Sequence, residues 1–373
     1  MLEFRFCVQD PTDPDTEYLY EAIVAEAVNA SAWQGMYAFA SRGGVDQLIE
    51  DPVVQEFLNR GGEIDLIVGI DAVTNRLTLE RLVELGKRYD KFRPRVFWND
   101  SSGLFHPKVS YFTFDDGHQT VIVGSGNLTP GGMTHNFEAY CIATAVGKAK
   151  LDVSAFDDFL ARQVSNIRDI DDAALERAAL NVTKPIKAVK TKVALTPLAK
   201  KPTLPVKLKA AEAKPVFDRF LVAQIPKAGD RWAQGHFNAE VVKQFFRVSN
   251  LETQRVFLTP VDVGGTRGTE TVRPVIYSET NKNYKIELRA AKGLEYPEDS
   301  PPVAVFRERK VRTFDYMLLM PDCAGYEPML KLTQTLQKVG RGLPRVITDA
   351  AIVEKAWNAC PLLAPEPETE KDL

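Results

Sequence analysis

Cysteine is scarce in this 373-residue chain. Four residues (Cys7, Cys141, Cys323 and Cys360) lie far apart with no CxxC pair, which argues against a disulfide framework and against a structural zinc site. No apolar run approaches the roughly 20 residues that span a bilayer. The start, Met1-Leu2-Glu3-Phe4-Arg5-Phe6, lacks the basic opening and long apolar stretch of a signal peptide, so the chain reads as cytoplasmic, with no membrane partner. A phosphate-binding loop of the GxxxxGKS or GxxxxGKT type is missing, and with it any ATPase motif. Net charge is small, −3.

The distribution of charge says more than its sum. Residues 1–183 carry 16 Lys and Arg against 28 Asp and Glu, residues 184–215 carry 9 against 1, and residues 216–363 carry 21 against 17. Positive surface for a polyanion therefore belongs to the middle and the C-terminal part. Domains run to roughly 100–200 residues, so two are expected, and 45% hydrophobic residues suffice to pack both.

Along the first part, strand-like segments (4–8, 35–39, 64–70, 96–98, 108–114, 120–124) alternate with stretches of helical periodicity (18–30, 45–58, 77–85). This predicts an α/β domain over residues 1–170, with a mixed central sheet flanked by helices. Residues 171–215 open with a helical stretch and continue as a Lys/Pro-rich segment without aromatics, read as an extended basic linker. From 216 to 363 short β-branched and aromatic runs predict a small β-barrel-like domain. The acidic end, residues 364–373, reads as a disordered tail.

The chemistry-bearing segment is Phe105-His106-Pro107-Lys108, followed by Gly124-Ser125-Gly126-Asn127 and then Asn136-Phe137-Glu138. On an extended chain, residues two apart share a face, so His106 and Lys108 point into one site. A neutral imidazole can attack phosphorus, and a lysine beside it stabilises charge on the non-bridging oxygens. Ser125 and Asn127 are placed to donate to the same phosphate. Glu138 can hold a histidine through its second ring nitrogen. His118, His135 and His236 begin no such motif.

HxK followed by GSxN resembles the signature of the phospholipase D superfamily. The resemblance implies phosphodiester cleavage through a covalent phosphohistidine, with no metal and no cofactor. Catalysis would rest on His106, Lys108, Ser125, Asn127 and Glu138. The motif occurs once, and single-motif members of that family share one composite site across a two-fold dimer. The resemblance therefore implies a homodimer in which one His106 is the nucleophile and the partner's His106 is the acid. The family's aspartate five residues after the lysine is Thr113 here. That departure points to the nuclease branch, where a glutamate beyond GSxN orients the histidine.

In the second half, Ile225-Pro226-Lys227 through His236-Phe237, and the later run Tyr277 to Leu288, resemble the two DNA-reading arms of B3-type barrels. One arm would hold Lys227, Arg231, Trp232 and Gln234, the other Asn281, Lys282, Asn283 and Lys285. Arg and Lys match guanine edges, Asn and Gln match adenine, and Lys also anchors phosphate. Together the halves resemble metal-independent type II restriction endonucleases acting on double-stranded DNA, some of which work beside a separate ATPase subunit. A non-specific nuclease or a lipid phosphodiesterase on the same site is the alternative.

Overall fold

The computed structural model describes residues 1–13, 15–99, 103–181, 218–226, 234–252, 254–291, 294 and 300–365. Residues 182–215 of the basic segment, most of the acidic tail, and Lys227, Arg231 and Trp232 lie outside the described residues. Among the described residues no helix is long and apolar enough to cross a membrane.

The N-terminal half runs β1 (Leu2–Gln9), α1 (Leu19–Ala27), β2 (Ala32–Tyr37), α2 (Arg42–Ile49), α3 (Pro52–Asn59), β3 (Glu63–Gly69), α4 (Arg76–Arg88), β4 (Phe92–Phe97), β5 (Lys108–Thr113), β6 (Gln119–Gly124), β7 (Glu138–Ala145), α5 (Ser154–Arg162), β8 (Ile167–Asp169) and α6 (Asp172–Ala179). Its strands form one mixed sheet in the order β1-β7-β6-β5-β2-β3-β4-β8. Pairing is parallel along β2-β3-β4 and antiparallel elsewhere. The helical stretch expected over 45–58 is two helices. Asp51 caps α3 by accepting from Val53, and Pro52 occupies its first turn, where a missing N–H costs nothing; the same proline cannot continue α2.

Alternation along the strands sorts the sheet's two faces. Cys7, Trp33, Phe112, Ile122 and Tyr140 face the large core built with α1 to α4. Ala174 and Ala178 of α6 are buried in the same core, so the packed N-terminal unit extends past residue 170. On the opposite face, α5 lies over Met36, Ile67 and Phe97 through Phe156 and Phe159. Further along that face, Phe4, Phe6, Val8 and Val123 stay exposed.

The C-terminal half runs β9 (Arg219–Gln224), β10 (Gln234–Phe237), α7 (Ala239–Gln244), β11 (Arg255–Pro260), β12 (Thr271–Pro274), β13 (Ile276–Ser278), β14 (Asn283–Glu287), β15 (Val303–Lys310), β16 (Thr313–Leu319), α8 (Tyr326–Thr335), β17 (Arg345–Asp349) and α9 (Ala350–Ala356). The expected barrel does not close among the described residues. A six-stranded sheet, β12-β11-β16-β15-β9-β17, and a three-stranded one, β10-β14-β13, stay separate. They share an aromatic core around Phe237, Phe246, Phe306 and Phe314. The other face of the larger sheet carries a second core, with Tyr326 and Met329 of α8 and Val353 of α9.

The two halves meet through buried polar and aromatic groups. Phe257 of β11 sits in the N-terminal core, edge-on to Tyr18 and Tyr20 at 5.8 Å from each. Arg312, fully buried, donates to Glu21 at 2.8 Å and to the Thr16 carbonyl at 2.9 Å. Its guanidinium lies 4.8 Å from the centre of the Tyr18 ring. Arg255 pairs with Asp51 at 3.3 Å, and Asp51 also accepts from the Tyr20 hydroxyl. A charge removed from water is tolerated only beside a partner, so each half of this contact needs the other.

Candidate active site

The sheet brings the two motif segments together through residues 38–41, which follow β2. The Ala38 N–H donates to the Pro107 carbonyl at 2.7 Å, and the Leu128 N–H donates to the Phe39 carbonyl at 3.0 Å. Ser41 N–H in turn donates to Leu128 O at 3.0 Å. The segment is thus bonded to the HxK loop on one side and to the GSxN loop on the other.

Lys108 opens β5 and shares its inward face with Ser110 and Phe112. Beneath it, the Ser110 hydroxyl is held by Trp33 Nε1 at 3.0 Å and Tyr37 Oη at 2.7 Å, which fixes the strand. Lys108 is nearly buried, whereas the His106 ring is exposed. The Lys108 Nζ lies 3.1 and 3.2 Å from the two ring nitrogens of His106, and 3.2 Å from its carbonyl. Phe39 supports the imidazole edge-on at 5.7 Å. Burial pulls the Lys108 pKa below the ordinary lysine value, and the Glu138 carboxylate opposes that shift.

Glu138 begins β7 beside Gln9 of β1. It accepts from the Ser125 hydroxyl and, at 3.4 Å, from Asn136, while Ser125 accepts from the Ala139 N–H at 3.1 Å. Among the described residues Glu138 makes no hydrogen bond or ion pair with His106; its partners are Ser125 and Asn136. Asn127 leaves its Oδ1 enclosed without a partner. Whichever way that amide is turned, one polar end has no hydrogen-bond partner among the described residues. Two glycines make the loop possible. A Cβ on Gly126 would lie 2.6 Å from Gly132 O, and one on Gly132 would lie 2.4 Å from Asn127 N.

Two supporting residues escaped sequence reading. Gln9, fully buried at the end of β1, donates to the Asn136 carbonyl at 2.8 Å and accepts from Leu19 N at 2.9 Å, anchoring the loop that delivers Glu138. A glutamine ending an apolar strand is its only trace in the sequence. Phe39 carries no signal there, because its role depends on the fold.

The candidate reading residues divide. In the three-stranded sheet the register pairs His236 with Lys285 and Gln234 with Glu287. Alternation then sets Gln234, His236, Asn283 and Lys285 on one polar face, away from buried Phe237 and Ile286. Asn283 Nδ2 approaches His236 Nδ1 at 3.4 Å. Burial, with Lys285 and Arg345 nearby, lowers the His236 pKa. Asn281 and Lys282 occupy the exposed β13–β14 turn, where Lys282 takes a φ of 49° and pairs with Glu279 at 2.9 Å.

No protein-family model matches the sequence, and no curated protein is significantly similar to it. Among solved structures, the chain is similar over 46% of its length to all of NucT from Helicobacter pylori, with 13% identity and a TM-score of 0.34. It is likewise similar, over 46% of its length, to all of the phospholipase D family member Nuc from Salmonella typhimurium, with 17% identity and a TM-score of 0.33. With the yeast tyrosyl-DNA phosphodiesterase it shares 14% identity over 47% of this chain and 43% of that one, at a TM-score of 0.28.

Proposed function

We propose that this protein is a sequence-specific DNA endonuclease that hydrolyses a phosphodiester without a metal ion, using His106 as nucleophile. The observation that carries the reading is the convergence of an exposed imidazole, a nearly buried ammonium 3.1 Å from it, and the Ser125–Glu138 pair at one end of strands β5, β6 and β7. In the first step a ring nitrogen of His106 bonds to phosphorus and the P–O bond to the leaving oxygen breaks. That oxygen takes a proton from the partner's His106. In the second step water attacks phosphorus, the P–N bond breaks, and the partner's His106 accepts the proton of the water. Lys108 holds the non-bridging oxygens, and Glu138 favours its charged form against the pull of burial. Asn127 supplies a further hydrogen bond to the phosphate.

A homodimer follows from having one nucleophile and needing two histidines. The exposed apolar face of Phe4, Phe6, Val8 and Val123 runs along β1 and β6 toward Ser125 and Glu138, and we seat the second copy there. For the choice of DNA site, the supporting feature is the polar face of Gln234, His236, Asn283 and Lys285, with Asn281 and Lys282 at its turn. We assign Lys227, Arg231 and Trp232 to the same reading role from the sequence alone.

The test is digestion of plasmid DNA in excess EDTA. The reading predicts discrete fragments at an undiminished rate. A smear would replace it with a non-specific nuclease, and loss of cleavage on chelation would overturn the metal-free mechanism.

A further inference from the structure

Beside His106 lies a cavity of about 360 Å³ that the chemistry above leaves unused. Phe97, Phe105 and Phe159 form one wall, with His106 at the boundary and the carboxamides of Asn99 and Gln163 on the lining. The three rings are nearly parallel. Phe97 and Phe105 stack at 4.3 Å and 13°, and Phe159 stands 6.1 and 6.3 Å from them, tilted by 18° and 27°. Phe97 and Phe105 are buried, whereas Phe159, on α5, is half-buried and is the ring with surface left to offer. Gln163 ends the same helix, and its Oε1 accepts from Asn166 at 2.8 Å, so its own amide N–H groups are not engaged by that bond.

We infer that this cavity is a subsite for the nucleobase next to the scissile phosphate. The inference rests on the nuclease reading, because it is the phosphate on His106 that brings a nucleoside to this wall. A flat ring fits a set of nearly parallel aromatic faces, and every base has such a face. A base in a duplex is already stacked, so its occupancy requires the flanking nucleotide to leave the helix during cleavage. The Gln163 amide then meets the edge of the displaced base, which makes this position a determinant of preference in the catalytic half itself, apart from the reading surface of the C-terminal half.

The experiment uses the full-length protein and duplex oligonucleotides spanning its cut site, with an abasic nucleotide placed in turn at each position around the cut. Single-turnover rates are compared for wild type and Phe159→Ala. One position adjoining the cut is expected to lose about tenfold when its base is removed, the scale of a single base–aromatic stack. In Phe159→Ala that abasic penalty is expected to shrink to less than about twofold, because the stack is already gone. A purely structural role for Phe159 would slow intact and abasic substrates alike and preserve the penalty, which would overturn the subsite. Equal rates at every abasic position would do the same. Should Phe159→Ala not fold, Gln163→Leu is the second variant, expected to flatten the rate differences among the four bases at that position; unchanged differences overturn the proposal. If the wild type leaves the intact duplex uncut, the nuclease reading fails first and the subsite falls with it.

Discussion

Replacing His106 with alanine is expected to lower single-turnover cleavage of DNA by roughly 10⁴-fold or more, as loss of a covalent nucleophile does elsewhere. Affinity for DNA and the melting temperature should barely move. The ring is exposed and rests on Lys108 and Phe39, so little packing is lost. Mixing the variant with wild type separates a composite site from an autonomous one. If each site needs His106 from both subunits and subunits exchange, an equal mixture retains about a quarter of the wild-type activity per site. Retention of half would show that each chain works alone. A His106→Ala protein cutting at the wild-type rate would remove His106 from the mechanism altogether.

Arg312→Met should destabilise the protein by about 1.4 kcal/mol more at pH 8 than at pH 5, because Glu21 loses its partner and must take up a proton to stay buried. Glu21 is 1% exposed, and burial pushes its carboxyl up to about 7 even with Arg312 drawing it down. A folded-state pKa above the unfolded value of 4.5 means that the native state holds the proton more tightly. The group's contribution to stability is complete below pH 4.5 and is lost as pH rises through 7. Without Arg312 the folded pKa rises further, so the variant's deficit should be larger at pH 8 than at pH 5. Thermal unfolding at both values measures this. The double variant Glu21→Gln/Arg312→Met should recover much of the loss, since the stranded charge is then absent. A deficit independent of pH would mean that packing around Tyr18, and not charge, joins the halves.

The candidate site residues stood out because chemistry demands particular side chains at short, regular spacing. His106 and Lys108 two apart on an extended chain, and Ser125 and Asn127 two apart after a strand, survive without knowledge of the fold. The central strands were legible for the same reason, through alternation and apolar runs bounded by glycine. Elements with mixed signals were missed. β7 is rich in alanine, β15 ends in alternating Arg, Glu and Lys, and α8 carries Pro328 in its first turn. The open double sheet of the C-terminal half was not legible, because strand pairing over long separations leaves no local mark; β11 and β16 pair in parallel across some fifty residues. Nor was the contact between the halves. A glutamate at position 21 and an arginine at position 312 look like ordinary surface residues until the fold buries both. Arg267 shows the converse. It looks like a free cation in a glycine-rich turn, yet it is bound to buried Asp315, which also accepts from Arg309 at 2.6 Å.

The central claim, attack on phosphorus by His106 before water, is tested most directly by stereochemistry. A duplex with a phosphorothioate of one configuration at the cut position is cleaved in ¹⁸O-labelled water, and the configuration of the product is determined. Each in-line displacement inverts phosphorus, so the two-step path through His106 predicts overall retention. Inversion would mean that water attacks the phosphodiester directly, with His106 acting as a base, and would contradict the covalent mechanism.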